Sequence, residues 1–247
     1  HRLHPQHKRS CSVMGSLNET APLLQDLRVT LLRSSVVCPP GEAERRSMFL
    51  SNIDQVLDFD VDTVHFFQAR PDFPPEAVAE RLQSALGELL GPYDFLAGRM
   101  AWDGGEGRWA LDCNGAGAGF VVAASELTLA ELGDLELTNP AFRQLVPPGR
   151  AGAMDSEDKP LFVLQVTSFK CGGFAVGMTQ CHTTMDGLGF RTLLENLAAL
   201  AAGDPLVLQP FNDRRLLAAR CPPRVSFPHP ELLKLDSPPP AAAAAAA

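Results

Sequence analysis

Apolar and polar positions alternate over short stretches in most of this chain and switch to a helical period in two places. Residues 27–32 alternate weakly and predict a strand that ends before Pro39-Pro40-Gly41. Residues 49–56 predict a turn or short helical piece. Residues 61–67, β-branched and aromatic, predict a strand. Pro74-Pro75 then opens a helix, where the missing proline N–H costs nothing, and Val78, Leu82, Leu86 and Leu89 form its core-facing stripe. Residues 109–113 and 119–124 predict two short strands separated by a glycine-rich turn. No lysine or helix start follows those glycines, as a phosphate-cradling loop would need. Residues 128–132 predict one helical turn.

The later part of the chain has a sharper pattern. Residues 161–169 predict a buried strand, Gly172-Gly173 the positive φ angles of a hairpin turn, and residues 174–181 the returning strand. One face of that last strand carries Phe174, Val176 and Met178. The other carries Ala175, Gly177 and Thr179, small enough for another backbone or a ligand to come close. Phe190, Leu193, Leu194, Leu197 and Leu200 form a second helical stripe, capped by Gly203. From Ala219 onward Pro222-Pro223, Pro228, Pro230 and Pro238-Pro239-Pro240 break regular structure, and seven alanines follow.

Composition narrows the function classes. At 247 residues and 45% hydrophobic, the chain can build one large domain or two small ones with a sizeable core. A net charge of −8 opposes a nucleic-acid partner, which needs a basic face. No apolar run reaches the roughly 18 residues of a membrane span. Cys11, Cys38, Cys113, Cys171, Cys181 and Cys221 form no C-x-x-C pair, which predicts inert thiols in a reducing, cytoplasmic compartment. Residues 1–13 are basic, lack the apolar segment of a signal peptide, and are expected to be a disordered or non-native extension ahead of Met14-Gly15. Glu19 at the sixth position fits the myristoylation pattern poorly.

The candidate chemistry lies in His182-Thr183-Thr184-Met185-Asp186-Gly187, between the last predicted strand and the second helical stripe. An imidazole there is a base poised near neutral pH. Asp186 has two open roles: orienting the imidazole, as in a catalytic triad, or holding the loop in shape. Gly187 is expected to supply a turn conformation closed to other residues. Thr183 and Thr184 are expected to pack or cap, and Met185 to join the core. His182 and Asp186 alone are too few ligands for zinc, so no metal is expected. His65 reads as a core or face residue of its strand. Cys181 is adjacent to His182, but neighbours in a strand point to opposite faces, which disfavours a cysteine nucleophile.

Four stretches carry a family resemblance: His182-Thr183-Thr184-Met185-Asp186-Gly187 to H-x-x-x-D-G, Phe95-Leu96-Ala97-Gly98-Arg99 to Y-P-L-A-G-R, Leu111-Asp112-Cys113-Asn114-Gly115-Ala116-Gly117 to D-C-N-G-x-G with its preceding residue, and Leu50-Ser51-Asn52-Ile53-Asp54 to L-S-x-x-D. In this order and spacing the chain resembles the N-terminal half of a plant BAHD acyltransferase of the hydroxycinnamoyl or acyl-CoA transferase kind. Condensation domains of peptide synthetases share the His-Asp-Gly spacing but usually carry a second histidine where this chain has Cys181. The resemblance implies an α/β fold: a chloramphenicol acetyltransferase-like mixed-sheet domain flanked by helices, the first of two, over residues 14–210. Residues 211–247 then resemble the start of the crossover loop to the second domain, whose D-F-G-W-G signature is nowhere in this sequence. The implied reaction moves an acyl group from a CoA thioester to an alcohol or amine, with His182 as general base. Asp186 would be turned from substrate and paired with an arginine. No bound cofactor is implied beyond acyl-CoA as co-substrate, and the full-length protein is expected to be monomeric. The alternative is a non-catalytic fragment acting as a binding or interaction module.

Overall fold

The computed structural model describes residues 24–41, 44–147, 159–224 and 226. The expectations for residues 1–13 and for the alanine run lie outside them. The described strands are β1 (Val29–Val37), β2 (Arg46–Phe49), β3 (Asp60–Phe67), β4 (Arg99–Asp103), β5 (Arg108–Cys113), β6 (Ala118–Ser125), β7 (Phe162–Phe169) and β8 (Phe174–Cys181). The helices are α1 (Asn52–Val56), α2 (Pro75–Leu89) and α3 (Gly187–Ala202). A five-stranded sheet runs β1-β6-β7-β8-β3, and a three-stranded sheet runs β2-β5-β4. Among the described strands only β6 and β7 pair in parallel; the other neighbours are antiparallel, so the large sheet is mixed.

The apolar stripes meet where their periods direct them. Leu86 and Leu89 of α2 and Leu193 and Leu197 of α3 pack on one face of the large sheet, against Phe120, Phe162, Leu164 and Val176. Full burial of such a side chain stabilises by about 1.5–3 kcal/mol. Because β6 and β7 are parallel, the chain between them must cross over, and it covers the opposite face. Leu127, Leu132, Ala141 and Leu145 of this crossover pack there with Ala175, Phe169, Val64 and Phe66.

Several local expectations hold in altered form. β1 runs on to Val37 because it pairs with β6 past an irregularity between Leu31 and Arg33, which breaks the alternation that sequence reading depends on. The predicted turn at 128–132 is a 3₁₀ turn, Leu129–Leu132, held by a capping box between Thr128 and Glu131. At the β7–β8 hairpin Gly172 alone has positive φ, at 81°. Gly173 is there for space: a Cβ would come within 2.9 Å of the Phe67 carbonyl oxygen. The strands β2 and β4 and a 3₁₀ turn over Pro140–Leu145 carry no clear sequence period. Among the described residues, no helix is long and apolar enough to cross a membrane.

Two of the four family-like stretches hold each other. The Arg99 guanidinium, 7% exposed, donates to the carbonyl oxygens of Gly98 and Gly117 at 2.8 Å and of Ala116 at 3.4 Å. The Gly117 N–H donates back to the Ala97 carbonyl at 3.0 Å. Gly115 and Gly117 adopt φ of 70° and 92°, which explains the glycine-rich turn without any ligand. These motifs build the fold.

Candidate active site

The other two stretches meet at His182. Ser51 and Asp54 form a reciprocal capping box: the Ser51 N–H donates to Asp54 Oδ2 at 2.7 Å, and the Asp54 N–H to Ser51 Oγ at 3.2 Å. This fixes α1, which is also tied to β5. Gln55 Nε2 donates to the Trp109 carbonyl at 2.7 Å, and Gln55 Oε1 accepts the Trp109 N–H at 3.1 Å. Arg108 donates to the Leu50 carbonyl and lies 4.4 Å over the Phe49 ring.

From this support α1 reaches the histidine loop. Thr183 Oγ1 donates to the Asp54 carbonyl at 3.4 Å, and the His182 N–H donates to the Phe59 carbonyl at 2.8 Å. His182–Thr184 forms one 3₁₀ turn, in which Thr184 Oγ1 donates back to the Cys181 carbonyl at 2.6 Å. Thr183, Thr184 and Met185 are buried, as expected. His182 itself is half-buried. Its ring lies 5.0 Å from that of Phe59, tilted by 41°, and its Nδ1 is buried with no hydrogen-bond partner among the described residues.

Asp186 makes no hydrogen bond to Nδ1 of the imidazole. It is the N-cap of α3, and its Oδ1 accepts the Gly189 N–H at 2.8 Å. A carboxylate at that helix start also complements the macrodipole. Among the described residues no arginine pairs with Asp186. The arginine that grips this loop is Arg214, which donates through Nη1 to the Thr183 carbonyl at 2.6 Å and through Nη2 to the Thr184 carbonyl. Its Nη1 also lies 3.2 Å from Asp54 Oδ1, both side chains being 16% exposed. Arg214 sits in a 3₁₀ turn, Arg214–Leu217, whose cap Asp213 accepts the Arg215 N–H at 3.1 Å. Hydrogen bonds from Arg215 hold the Asp213 carboxyl at about 2.

One expectation changes here. Gly187 is not in a turn conformation barred to other residues. It is the first residue of α3, without positive φ, and a Cβ there would meet nothing within 4 Å. Residues 212–214, in the 211–247 stretch that resembles the start of the crossover loop, lie against the domain: Asn212 Nδ2 donates to the Pro92 carbonyl at 2.9 Å beside the Arg214 contacts. Phe59 and Arg214 were not singled out from the sequence. The S-x-x-D spacing of Ser51 and Asp54 was a readable cap signal; Arg214 left none, because its targets are backbone carbonyls 30 and 31 positions away.

The remaining candidates take no part. Cys181 is fully buried, with its thiol 3.8 Å from Asp58 Oδ1. His65 sits on β3 opposite Val176 and borders an apolar cavity of about 810 Å³ walled by Phe67, Leu82, Met178 and Leu194; His182 does not line it. No group of three or more metal-ligating side chains occurs among the described residues. The Cys113 thiol is pushed up to about 11, by burial first and then by the Asp94 carboxylate. Iodoacetamide at pH 8 is therefore expected to label exposed Cys38, Cys171 and Cys221 in the native protein and to leave Cys113 untouched until denaturant is added. Peptide mass spectrometry reads this directly, and rapid native labelling of Cys113 would contradict it.

Comparison with known proteins gives a consistent picture. A family model described as "Transferase family" matches residues 27–245. Acyltransferase GLAUCE of Arabidopsis thaliana is 57% identical over 224 residues, covering 90% of this chain and 50% of that protein. Hydroxycinnamoyltransferase 1 of Oryza sativa subsp. japonica is 37% identical over 215 residues, covering 83% of this chain and 47% of that one. The crystal structure of vinorine synthase shares the fold, with a TM-score of 0.66 at 23% identity, over 83% of this chain and 50% of the other. The chain thus spans about half the length of the curated relatives it matches.

Proposed function

The chain belongs to the plant BAHD acyltransferase family, and from that membership we propose that the complete protein moves an acyl group, hydroxycinnamoyl or fatty, from a CoA thioester to an alcohol or amine. The observation that carries the proposal is the state of His182: half-buried at the end of β8, on a loop tied to α1, to the Phe59 carbonyl and to Arg214. Such a side chain can meet a substrate without having to be positioned afresh at each turnover.

In this reading the imidazole takes the acceptor proton as oxygen or nitrogen attacks the thioester carbonyl carbon. The tetrahedral intermediate re-forms its carbonyl and expels the CoA thiolate, which recovers a proton from the imidazolium. Protons balance, and the products are ester or amide and free thiol. Asp186 stays on the helix cap throughout and is not needed on the ring. Acyl-CoA is a co-substrate, and no resident cofactor is required.

The elements around the loop also bear exposed apolar side chains: Ile53 and Val56 on α1, Phe59 beside the imidazole, Leu188 in the first turn of α3, and Leu216 and Leu217 after Arg214. Apolar surface of this extent suits substrate or a packed partner domain better than water. We place the complete protein in the cytoplasm as a monomer.

The test is a matrix of acyl-CoA donors and alcohol or amine acceptors supplied to the complete gene product, with free thiol and acylated product measured together. Thiol release that depends on acceptor, with a product heavier by one acyl group, is the expected result. Absence of acylated product across hydroxycinnamoyl and fatty donors would overturn the donor class.

A further inference from the structure

We propose that Arg214 is a positioning residue for the acyl transfer, fixing the peptide planes next to His182; this rests on the general-base reading of that histidine. One planar guanidinium bridges three oxygens on two parts of the chain: the carbonyls of Thr183 and Thr184 and the carboxylate of Asp54. The two carbonyls close a single 3₁₀ turn that begins at His182, and nothing beyond that turn continues the helix to satisfy them. Asp54 Oδ1 pairs with the same Nη1 that donates to the Thr183 carbonyl, while its second carboxylate oxygen accepts the Ser51 N–H in the α1 capping box. The imidazole is therefore located by a relay running from β5 through α1 and Asp54 to Arg214 and the loop carbonyls.

A largely buried ion pair of this kind adds little net stability, because desolvating both charges offsets most of their attraction. Its effect falls on geometry instead. The fork of an arginine can donate to two neighbouring carbonyls in one plane, and the point charge of a lysine cannot. Without Arg214 the Thr183 and Thr184 carbonyls lose their guanidinium donor, and the loop keeps the hydrogen bonds from Thr183 Oγ1, Thr184 Oγ1 and the His182 N–H to hold it. The His182 side chain, one residue away, then loses its fixed approach to the acceptor. A misplacement of about 1 Å at a reacting group costs about 10²-fold in rate.

The experiment is steady-state kinetics on the complete protein, varying acyl-CoA and acceptor separately. Arg214→Ala is expected to lower kcat by about 10²-fold while both KM values stay within about threefold. Millimolar guanidinium ion is expected to restore part of that kcat, and a merely structural loss would not respond to it. Arg214→Lys is expected to keep the parent unfolding midpoint yet remain at least about tenfold down in kcat. It decides the matter if the alanine variant fails to fold. Parent-like kcat in any folded Arg214 variant, or a loss confined to KM, overturns the proposal. His182→Ala is run in parallel: full activity there defeats the general-base reading, whereas loss there with parent-like Arg214 variants defeats the positioning role alone.

Discussion

His182→Ala in the complete protein is expected to reduce kcat by about 10²–10⁴-fold with little change in its unfolding midpoint. The first half follows from chemistry. An alcohol at neutral pH is a poor nucleophile, and its proton must leave as the bond to the thioester carbon forms. A base held in place supplies that step, which corresponds to about 3–5 kcal/mol of the barrier. The second half follows from the surroundings of the ring. Its Nδ1 has no hydrogen-bond partner among the described residues, and the loop is held through backbone groups, namely the His182 N–H and the Thr183 and Thr184 carbonyls. Truncating the ring breaks none of these. Activity and stability should therefore separate, and stopped assays alongside thermal melts of the same preparation would show it. Unchanged turnover would remove the imidazole from the mechanism; a large drop in midpoint would assign it to structure.

The sequence made the histidine visible and concealed what holds it. A strand followed by H-x-x-x-D-G and a capped helical stripe is legible because each part has its own signal: alternation, a polar break, a 3.6-residue period and a terminal glycine. β8, the 3₁₀ turn and α3 lie where those signals put them. β2 and β4 were not legible. Each is five residues or fewer, and their partner is β5 of a small sheet that no periodicity reports. Arg214 was hidden for another reason. Side chain-to-carbonyl contacts impose no residue type on the partner, so Thr183 and Thr184 give no hint of them. The proline-rich texture that follows gave no sign of these contacts either. The family-like stretches sort by the same physics. Arg99 and the glycine turn exchange hydrogen bonds within the fold, while Asp54 and the histidine loop share Arg214. Four stretches that look alike as motifs thus divide into one contact that builds the domain and one that builds the site.

The largest loss of stability is expected from Gly177→Ala, by about 3 kcal/mol or more. A Cβ at this position would lie 1.8 Å from the Leu145 carbonyl oxygen, 2.8 Å from its carbon and 3.2 Å from Val146 Cα. All three are backbone atoms, so no rotamer change relieves the clash. Nor can the crossover segment drift away freely. The neighbouring Gln144 carbonyl accepts from Gln165 Nε2 at 3.0 Å, and Thr179 Oγ1 lies 3.0 Å from the Pro147 carbonyl. The small-residue face of β8 is thus matched to one backbone, and the added methyl must move either the segment or the strand. Against a typical total stability of 5–15 kcal/mol, a loss of this size should be plain in a urea midpoint. The strand carries a second consequence, because His182 follows directly on β8, five residues beyond Gly177. Where the strand yields, kcat should fall with stability; where the segment yields, kcat should survive. A midpoint equal to that of the parent would show that the 144–147 backbone is not seated on β8 in solution.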